Sequence, residues 1–230
     1  MTRKYLIVIA FFVGIIAGMA REQLTMPISS RPDQPYYHGI RGRDNIALTF
    51  NVDWGEQFLP GILQVLQDNN LDATFFVTGK WSRKNPELLK KMAQSGHLIG
   101  NHGYSHLHPK QLSREQLIEL IKKNEEIIFR ICGKRTDLFA PPYGEVDARI
   151  TGIASSIGYK TIMWSADTID WQRPAPEIIA QRAINKADDG GIILMHPTEP
   201  TLQALPDIIS TLQKRGYNLV TVQELIGAKP

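Results

Sequence analysis

Two histidines four residues apart, His102 and His106, stand directly behind the apolar run His97-Leu98-Ile99-Gly100. On a helical turn, positions i and i+4 share a face, so both imidazoles could reach one ion. The same spacing also fits a pair of hydrogen-bonded loop histidines. Four other polar clusters add weight to the pair, because each also follows a short apolar run. They are Asn51-Val52-Asp53-Trp54-Gly55, Pro141-Pro142-Tyr143-Gly144, Asp167-Thr168-Ile169-Asp170-Trp171 and His196-Pro197. One aspartate with two histidines is the donor set of a catalytic zinc-type site that keeps positions open for water and substrate.

Something must hold five such clusters at one end of a scaffold. From residue 45 onward, strand and helix signals alternate. Apolar, β-branched runs at 46–50, 73–78, 97–101, 137–140, 161–165, 191–195 and 218–221 read as seven strands. Helical spacing starts at Phe58, at Asn85-Pro86, at the Ser113…Gln116 capping box and at Asp147, and again over 175–187 and 201–215; Gly96, Gly133 and Gly158 end three of these segments. Alternating βα units with almost continuously apolar strands imply a parallel sheet covered by helices. About 190 residues of this pattern suit one α/β barrel-like domain, with chemistry on the loops after its strands.

The 230 residues are 43% hydrophobic and carry a net charge of only +3, which suits a globular domain and excludes a dedicated nucleic-acid binder. Residues 1–20 pair Arg3-Lys4 with an uncharged run from Tyr5 to Ala20, the pattern of a signal peptide or an N-terminal membrane anchor. Residues 21–44, rich in Pro, Arg and Ser, read as a linker or wrapping segment, and 45–230 as the domain. The single Cys132 fits an exported chain that does without disulfides. Together these place the domain outside the cytoplasm, secreted or anchored to the outer face of the membrane.

The five clusters resemble the ordered motifs of the NodB-type polysaccharide deacetylases, carbohydrate esterase family four. Thr49-Phe50-Asn51-Val52-Asp53 is similar to T-F-D-D, and His102 to His106 matches H-[ST]-x-x-H with Gly103 at the usual Ser/Thr. Ala140-Pro141-Pro142-Tyr143-Gly144 resembles R-x-P-[YF]-G, Asp167 to Trp171 matches D-x-x-D-W, and Leu194-Met195-His196 matches L-x-H. The resemblance implies a distorted seven-stranded (β/α) barrel that removes acetyl groups from a polysaccharide. It also implies one divalent metal (zinc favoured, with cobalt, nickel or iron as alternatives) on His102, His106 and a first-motif Asp. His196 would be the general acid and Asp170 its partner, while Trp171 would line the sugar and the Tyr143 N–H would help hold the oxyanion.

The first and third motifs depart from that pattern. The family's catalytic base is here Asn51, left as a substrate-contacting residue, and the arginine paired with that base is Ala140. An ungapped match puts Val52 at the metal aspartate, with Asp53 one residue later. Losing the base would leave the arginine an unpaired charge beside a dication, so the two changes make sense together. Asp53 could serve as metal ligand or as base, or hydrolysis could be lost and the barrel bind glycans only. The Asn-Val-Asp-Trp-Gly pattern resembles a sporulation-linked bacterial branch, which favours peptidoglycan, with chitin or acetylated xylan as alternatives. A barrel glycosidase would need two facing carboxylates, which only Asp53 and Asp170 could supply, and would leave the histidine pair unexplained.

Overall fold

The sheet is built on β1 (Asn45–Val52), of which only the first residue escapes full burial. β1 pairs in parallel with β2 (Thr74–Val77), β7 (Ile192–Met195) and, near its start, β8 (Asn218–Val220). With β3 (Leu98–Asn101), β4 (Leu138–Phe139), β5 (Lys160–Thr161) and β6 (Ala166–Asp167), the strand order is β5-β4-β3-β2-β1-β7-β6, and every pairing is parallel. The curled sheet is the expected (β/α) barrel; β8 is the strand expected at 218–221, and the count rises from seven to eight because β5 and β6 flank the run expected as one strand at 161–165. The computed structural model describes residues 33–227, so the expected signal or anchor over 1–20, and residues 21–32 of the segment behind it, lie outside the described residues.

One expected strand is corrected. Residues 161–165 do not form a single strand, because β5 and β6 belong to opposite ends of the strand order. Between them the backbone turns to Tyr36, whose N–H donates to the Thr161 carbonyl (2.9 Å) and whose carbonyl accepts from Met163 (2.8 Å). His38 bridges to Gly191, so residues 36–38 tie the end of β5 to the start of β7. The described part of 21–44 therefore wraps the barrel.

The helices are α1 (Leu59–Asp68), α2 (Gly79–Lys84), α3 (Pro86–Gln94), α4 (Arg114–Cys132), α5 (Ala148–Ser156), α6 (Pro176–Lys186), α7 (Glu199–Lys214) and α8 (Val222–Leu225). The expected punctuation is in place. Ser113 and Gln116 form the capping box of α4, Gly133 ends it at φ +71°, and the Asp147 carboxylate accepts from Ile150 N–H to open α5. Asn85 stands at the start of α3, but its side chain donates back to the Trp81 carbonyl and closes α2 instead.

Alternation along β1 divides the interior. Ile46, Leu48, Phe50 and Val52 join the large core shared with α1, α3, α6 and α7. Ala47 belongs to the smaller cluster with Phe76, Ala140, Ile162 and Leu225, and Thr49 donates to the Ile193 carbonyl. The odd-numbered positions thus face into the barrel, and at the end of β1 that face carries Asn51 and, one residue past the strand, Asp53.

Candidate active site

Val52 is fully buried in the outer core, so it is not a failed metal ligand but a core residue. Asn51 and Asp53 line a cavity of about 460 Å³ at the C-terminal ends of the strands. Asp53 Oδ1 accepts from the Thr78 hydroxyl at 2.6 Å, and the same Thr78 oxygen accepts from Trp81 N–H to cap α2. Gly55 follows at φ +85°, where a Cβ would come within 2.1 Å of the Pro197 carbonyl oxygen. Only glycine lets these two loops touch. Their contact sets Trp54 parallel to the His196 ring, 6.1 Å between centroids.

His102 and His106 do come together, but not on a helical turn. His102 leaves β3, Gly103 turns the chain at φ +78°, and the two rings meet edge to face with centroids 5.1 Å apart. His102 is 2% exposed and its Nδ1 lies 2.6 Å from the Ala140 carbonyl oxygen. A carbonyl only accepts, so Nδ1 carries the proton and Nε2 keeps its lone pair. Burial, and then the nearby His106, push its pKa down to about 3, which holds the ring neutral. Burial also lowers His106, against the opposing pull of the Asp53 carboxylate.

Tyr143 sits at φ +58°, a conformation that costs a non-glycine residue and is found where a site demands it. Its ring meets the His106 edge at 4.3 Å and stacks on His108 at 3.8 Å. His108 is itself held by Glu145 at 2.9 Å. His97, at the head of the run that leads into β3, accepts from the Ala73 N–H at 3.4 Å and lies away from this cavity.

The other wall is a closed network. Asp170 is fully buried and accepts from the His196 N–H (2.6 Å), from His196 Nδ1–H (2.8 Å) and from the Thr201 hydroxyl (2.6 Å). Its position depends on Ile169, a β-branched residue at φ +53°. That turn is held by Asp167, which accepts from the Ile169 N–H, and by Thr168, which donates to the Leu194 carbonyl. With Nδ1 committed to Asp170, the remaining polar atom of His196 is Nε2. Trp171 is 53% exposed at the cavity mouth.

All the expected site residues but Asp170 line the one cavity, and Asp170 stands behind His196. The neutral Nε2 of His102, fixed by the bond its other nitrogen makes, suits a metal ligand. Asp53 keeps Oδ2 clear of the Thr78 bond. Even so, among the described residues no three His, Cys, Asp or Glu side chains stand close enough to hold an ion. The donor types fit a divalent metal, but the structure does not gather them around one point. Thr78, Thr201, Trp54, His108 and Trp164 at this site were not singled out from the sequence. Trp54 could have been, as an aromatic inside the first cluster, whereas Thr78 and Thr201 act over gaps that no local pattern reveals.

Similarity to known proteins agrees with this architecture. The polysaccharide deacetylase family model matches residues 38–162. The uncharacterized protein YlxY of Bacillus subtilis is 39% identical over 86% of this chain, which spans 62% of that protein. A peptidoglycan-N-acetylglucosamine deacetylase of Bacillus cereus is 32% identical, covering 82% of this chain and 70% of its own. Among solved structures, a CE4-family pseudoenzyme from Bacillus anthracis superposes with a TM-score of 0.82 at 36% identity, covering 84% of this chain and 69% of that one. A mutant of it with restored enzymatic activity superposes equally well, at 34% identity over 84% of this chain and 71% of its own. The motif-bearing loops thus sit on a barrel whose relatives span most of its length, and the chain belongs to the polysaccharide deacetylase family.

Proposed function

We propose that the chain is an extracytoplasmic, metal-dependent deacetylase of an acetylated wall polysaccharide, with peptidoglycan the favoured substrate. The observation that carries this reading is the complete Asp170–His196–Thr201 network. A glycan-binding wall has no need of an imidazole whose Nδ1–H is fixed on a buried carboxylate. That arrangement instead positions Nε2 to hand a proton to a leaving nitrogen. Tyr143 and Trp171 face the cavity mouth, where sugar rings would pack, and the Tyr143 N–H is assigned to the oxyanion. Asp53 is the carboxylate that shares the inward face of β1 with Asn51.

The metal is part of the proposal. Zinc, cobalt, nickel or iron would be held by His102 and His106 with Asp53, and when bound it supplies Lewis acidity to the acetyl carbonyl. Asn51 cannot take a proton, so base assistance falls to Asp53 or is absent. General-base catalysis contributes about 10²–10⁴-fold, so turnover without Asp53 as the base is expected to be slower by a factor in that range. A signal peptide or membrane anchor over residues 1–20 would put the barrel beside wall glycan. A reporter fused after residue 20 should appear outside the cytoplasmic membrane.

A second reading is a barrel that binds glycan without turnover. Asn51 and Ala140 favour it, as does the likeness to a family pseudoenzyme. Acetate release from N-acetylglucosamine oligomers and from peptidoglycan, measured with and without added zinc, separates the two. Zinc-dependent release that His102→Ala abolishes supports the first reading. Glycan binding without release supports the second, and neither binding nor release rejects both.

A further inference from the structure

A second cavity, of about 250 Å³, is lined by residues of α1 and α3 and of the turns that lead into β2 and β3. His97 lines it one residue before β3, and Leu63 and Leu71 give it an apolar side. The His97 side chain is only 3% exposed, and its ring meets Phe75 edge to face, which holds it against the core. Its Nδ1 accepts from the Ala73 N–H, so the proton sits on Nε2. That Nε2–H has no hydrogen-bond partner among the described residues, and unlike the Asn51 oxygen it is open to a molecule in the cavity. Burial lowers the pKa of the ring, against the pull of Asp72, whose Oδ1 stands 3.6 Å from Nδ1.

The rest of the lining is polar and uncommitted. The Gln67 and Asn70 side-chain amides and the Ser95 hydroxyl make no hydrogen bond among the described residues, and each can both donate and accept. One carboxylate, Asp72, and one ammonium, Lys91, line the same space. An anion would meet Asp72 and a cation would meet Lys91, so neither gains a net attraction. A neutral polyol suits both, because every hydroxyl offers a donor to the carboxylate and an acceptor to an N–H. The volume lies below the roughly 300–1,000 Å³ of sites for drug-sized ligands, and suits a single sugar ring. We propose that this cavity is a second saccharide site that takes one neutral pyranose of a glycan. Its hydroxyls bond to the Asp72 carboxylate and the His97 Nε2–H, and one C–H face lies on Leu63 and Leu71. Asp72 and His97 precede β2 and β3, whereas the catalytic cavity stands where the strands end, so the sugar held here is not the one being deacetylated. The site goes beyond the deacetylase reading and holds whether or not the barrel turns over. By gripping a second stretch of polymer it raises the local concentration of glycan.

The test titrates cellobiose, a neutral disaccharide without acetyl groups, into the full chain and follows amide and imidazole nitrogen resonances. The Ala73 and Ser95 amides and His97 Nε2 are expected to shift and to saturate with a Kd of about 1–10 mM. Asp72→Ala, at an exposed position, removes the charged acceptor and should weaken binding about tenfold or more. Lys91→Ala removes a flexible exposed ammonium and should weaken it by only about twofold. No shift at these three nuclei up to roughly 50 mM cellobiose overturns the proposal. Shifts confined to Trp54 and Trp171 overturn it too, and leave glycan binding at the catalytic cavity standing. Unchanged affinity in Asp72→Ala has the same consequence for the second site. If inorganic phosphate shifts these nuclei more strongly than cellobiose, and Lys91→Ala abolishes that effect, the cavity is an anion site and the saccharide assignment fails.

Discussion

The two walls of the cavity differ in how completely they are satisfied. On the β7 side, Asp170 accepts three hydrogen bonds, and the histidine it holds has a fixed tautomer and a fixed orientation. On the β1 side, Asn51 has an unpaired oxygen, Asp53 leans on Thr78, and Ala140 offers His102 only a backbone carbonyl. The folded chain keeps the first wall in order through its own hydrogen bonds, whereas the second leaves the buried Asn51 oxygen without a partner among the described residues. The largest expected effect follows from that contrast. Asp170→Ala leaves the His196 N–H and Nδ1–H and the Thr201 hydroxyl without their acceptor, and should cost about 3–5 kcal/mol of stability, read from denaturant midpoints. Asn51→Ala should cost much less, since no hydrogen bond to Oδ1 is lost. Equal losses would mean that the two walls are not different in kind.

Acid titration sharpens the same contrast. Above pH 6.5, His102 is neutral in the folded and the unfolded chain alike. As pH falls from 6.5 toward about 3, the unfolded chain takes up a proton that the folded chain refuses, because burial and His106 oppose the charge. Stability should therefore fall with pH across that window, by up to about 1.4 kcal/mol per unit from this residue in metal-free protein. His102→Gln should flatten the slope between pH 6 and 5 in chelator. An unchanged slope would assign the acid loss to other groups.

How much of this could be read in the sequence differs from element to element. Long apolar runs marked β1, β2 and β7, and the Ser113 box and Gly133 marked both ends of α4, because each signal is local. The run 161–165 misled, since a chain that leaves one strand and enters another has the same composition as one that continues. Six residues of α2, Gly-Lys-Trp-Ser-Arg-Lys, carry no helical stripe, and the helix forms because Thr78 caps it. At the site, strand alternation was enough to put Asp53 with Asn51 and to turn Val52 away. The partners of those groups lie 25 to 38 residues off, as with Thr78 on Asp53, Ala140 on His102 and Thr201 on Asp170. No periodicity encodes such pairs, and only the folded barrel brings them together.

The proposed link between positions 51 and 140 gives a smaller and sharper test. Ala140 is 3% exposed in the inner cluster with Phe76 and Ile162, so an arginine there needs room as well as a partner. Ala140→Arg alone should destabilise by about 1–3 kcal/mol through overpacking, with a further cost for an unpaired buried charge. Adding Asn51→Asp supplies the partner and should recover part of the loss, a coupling of about 0.5–3 kcal/mol in a double-mutant cycle on stability. Acetate release measured on the same four proteins shows whether the restored pair also restores turnover. Additive losses would mean that the two substitutions are independent.

The smallest effect belongs to Trp54, the residue where the two walls meet. It comes from the loop after β1, and the Gly55–Pro197 contact lays its ring parallel to His196 on the opposite side. Aromatic pairs at such separations contribute about 0.5–1.5 kcal/mol beyond the area they bury, and Trp54 is 38% exposed, which argues for the lower end. Trp54→Ala should therefore weaken binding of N-acetylglucosamine oligomers by about two- to fivefold, and Trp54→Phe by less. Two roles predict that same loss. If the indole acts by steadying His196, the Trp54→Ala effect should vanish once His196 is already alanine. If it packs directly against a sugar, the loss should persist unchanged in His196→Ala. The half-exposed edge and the place at the cavity lining favour the second, so the two losses should add within about 0.3–0.5 kcal/mol. Strong coupling instead would make Trp54 a support for the intact wall, and the β1 side would then contribute to the acid half of the site after all.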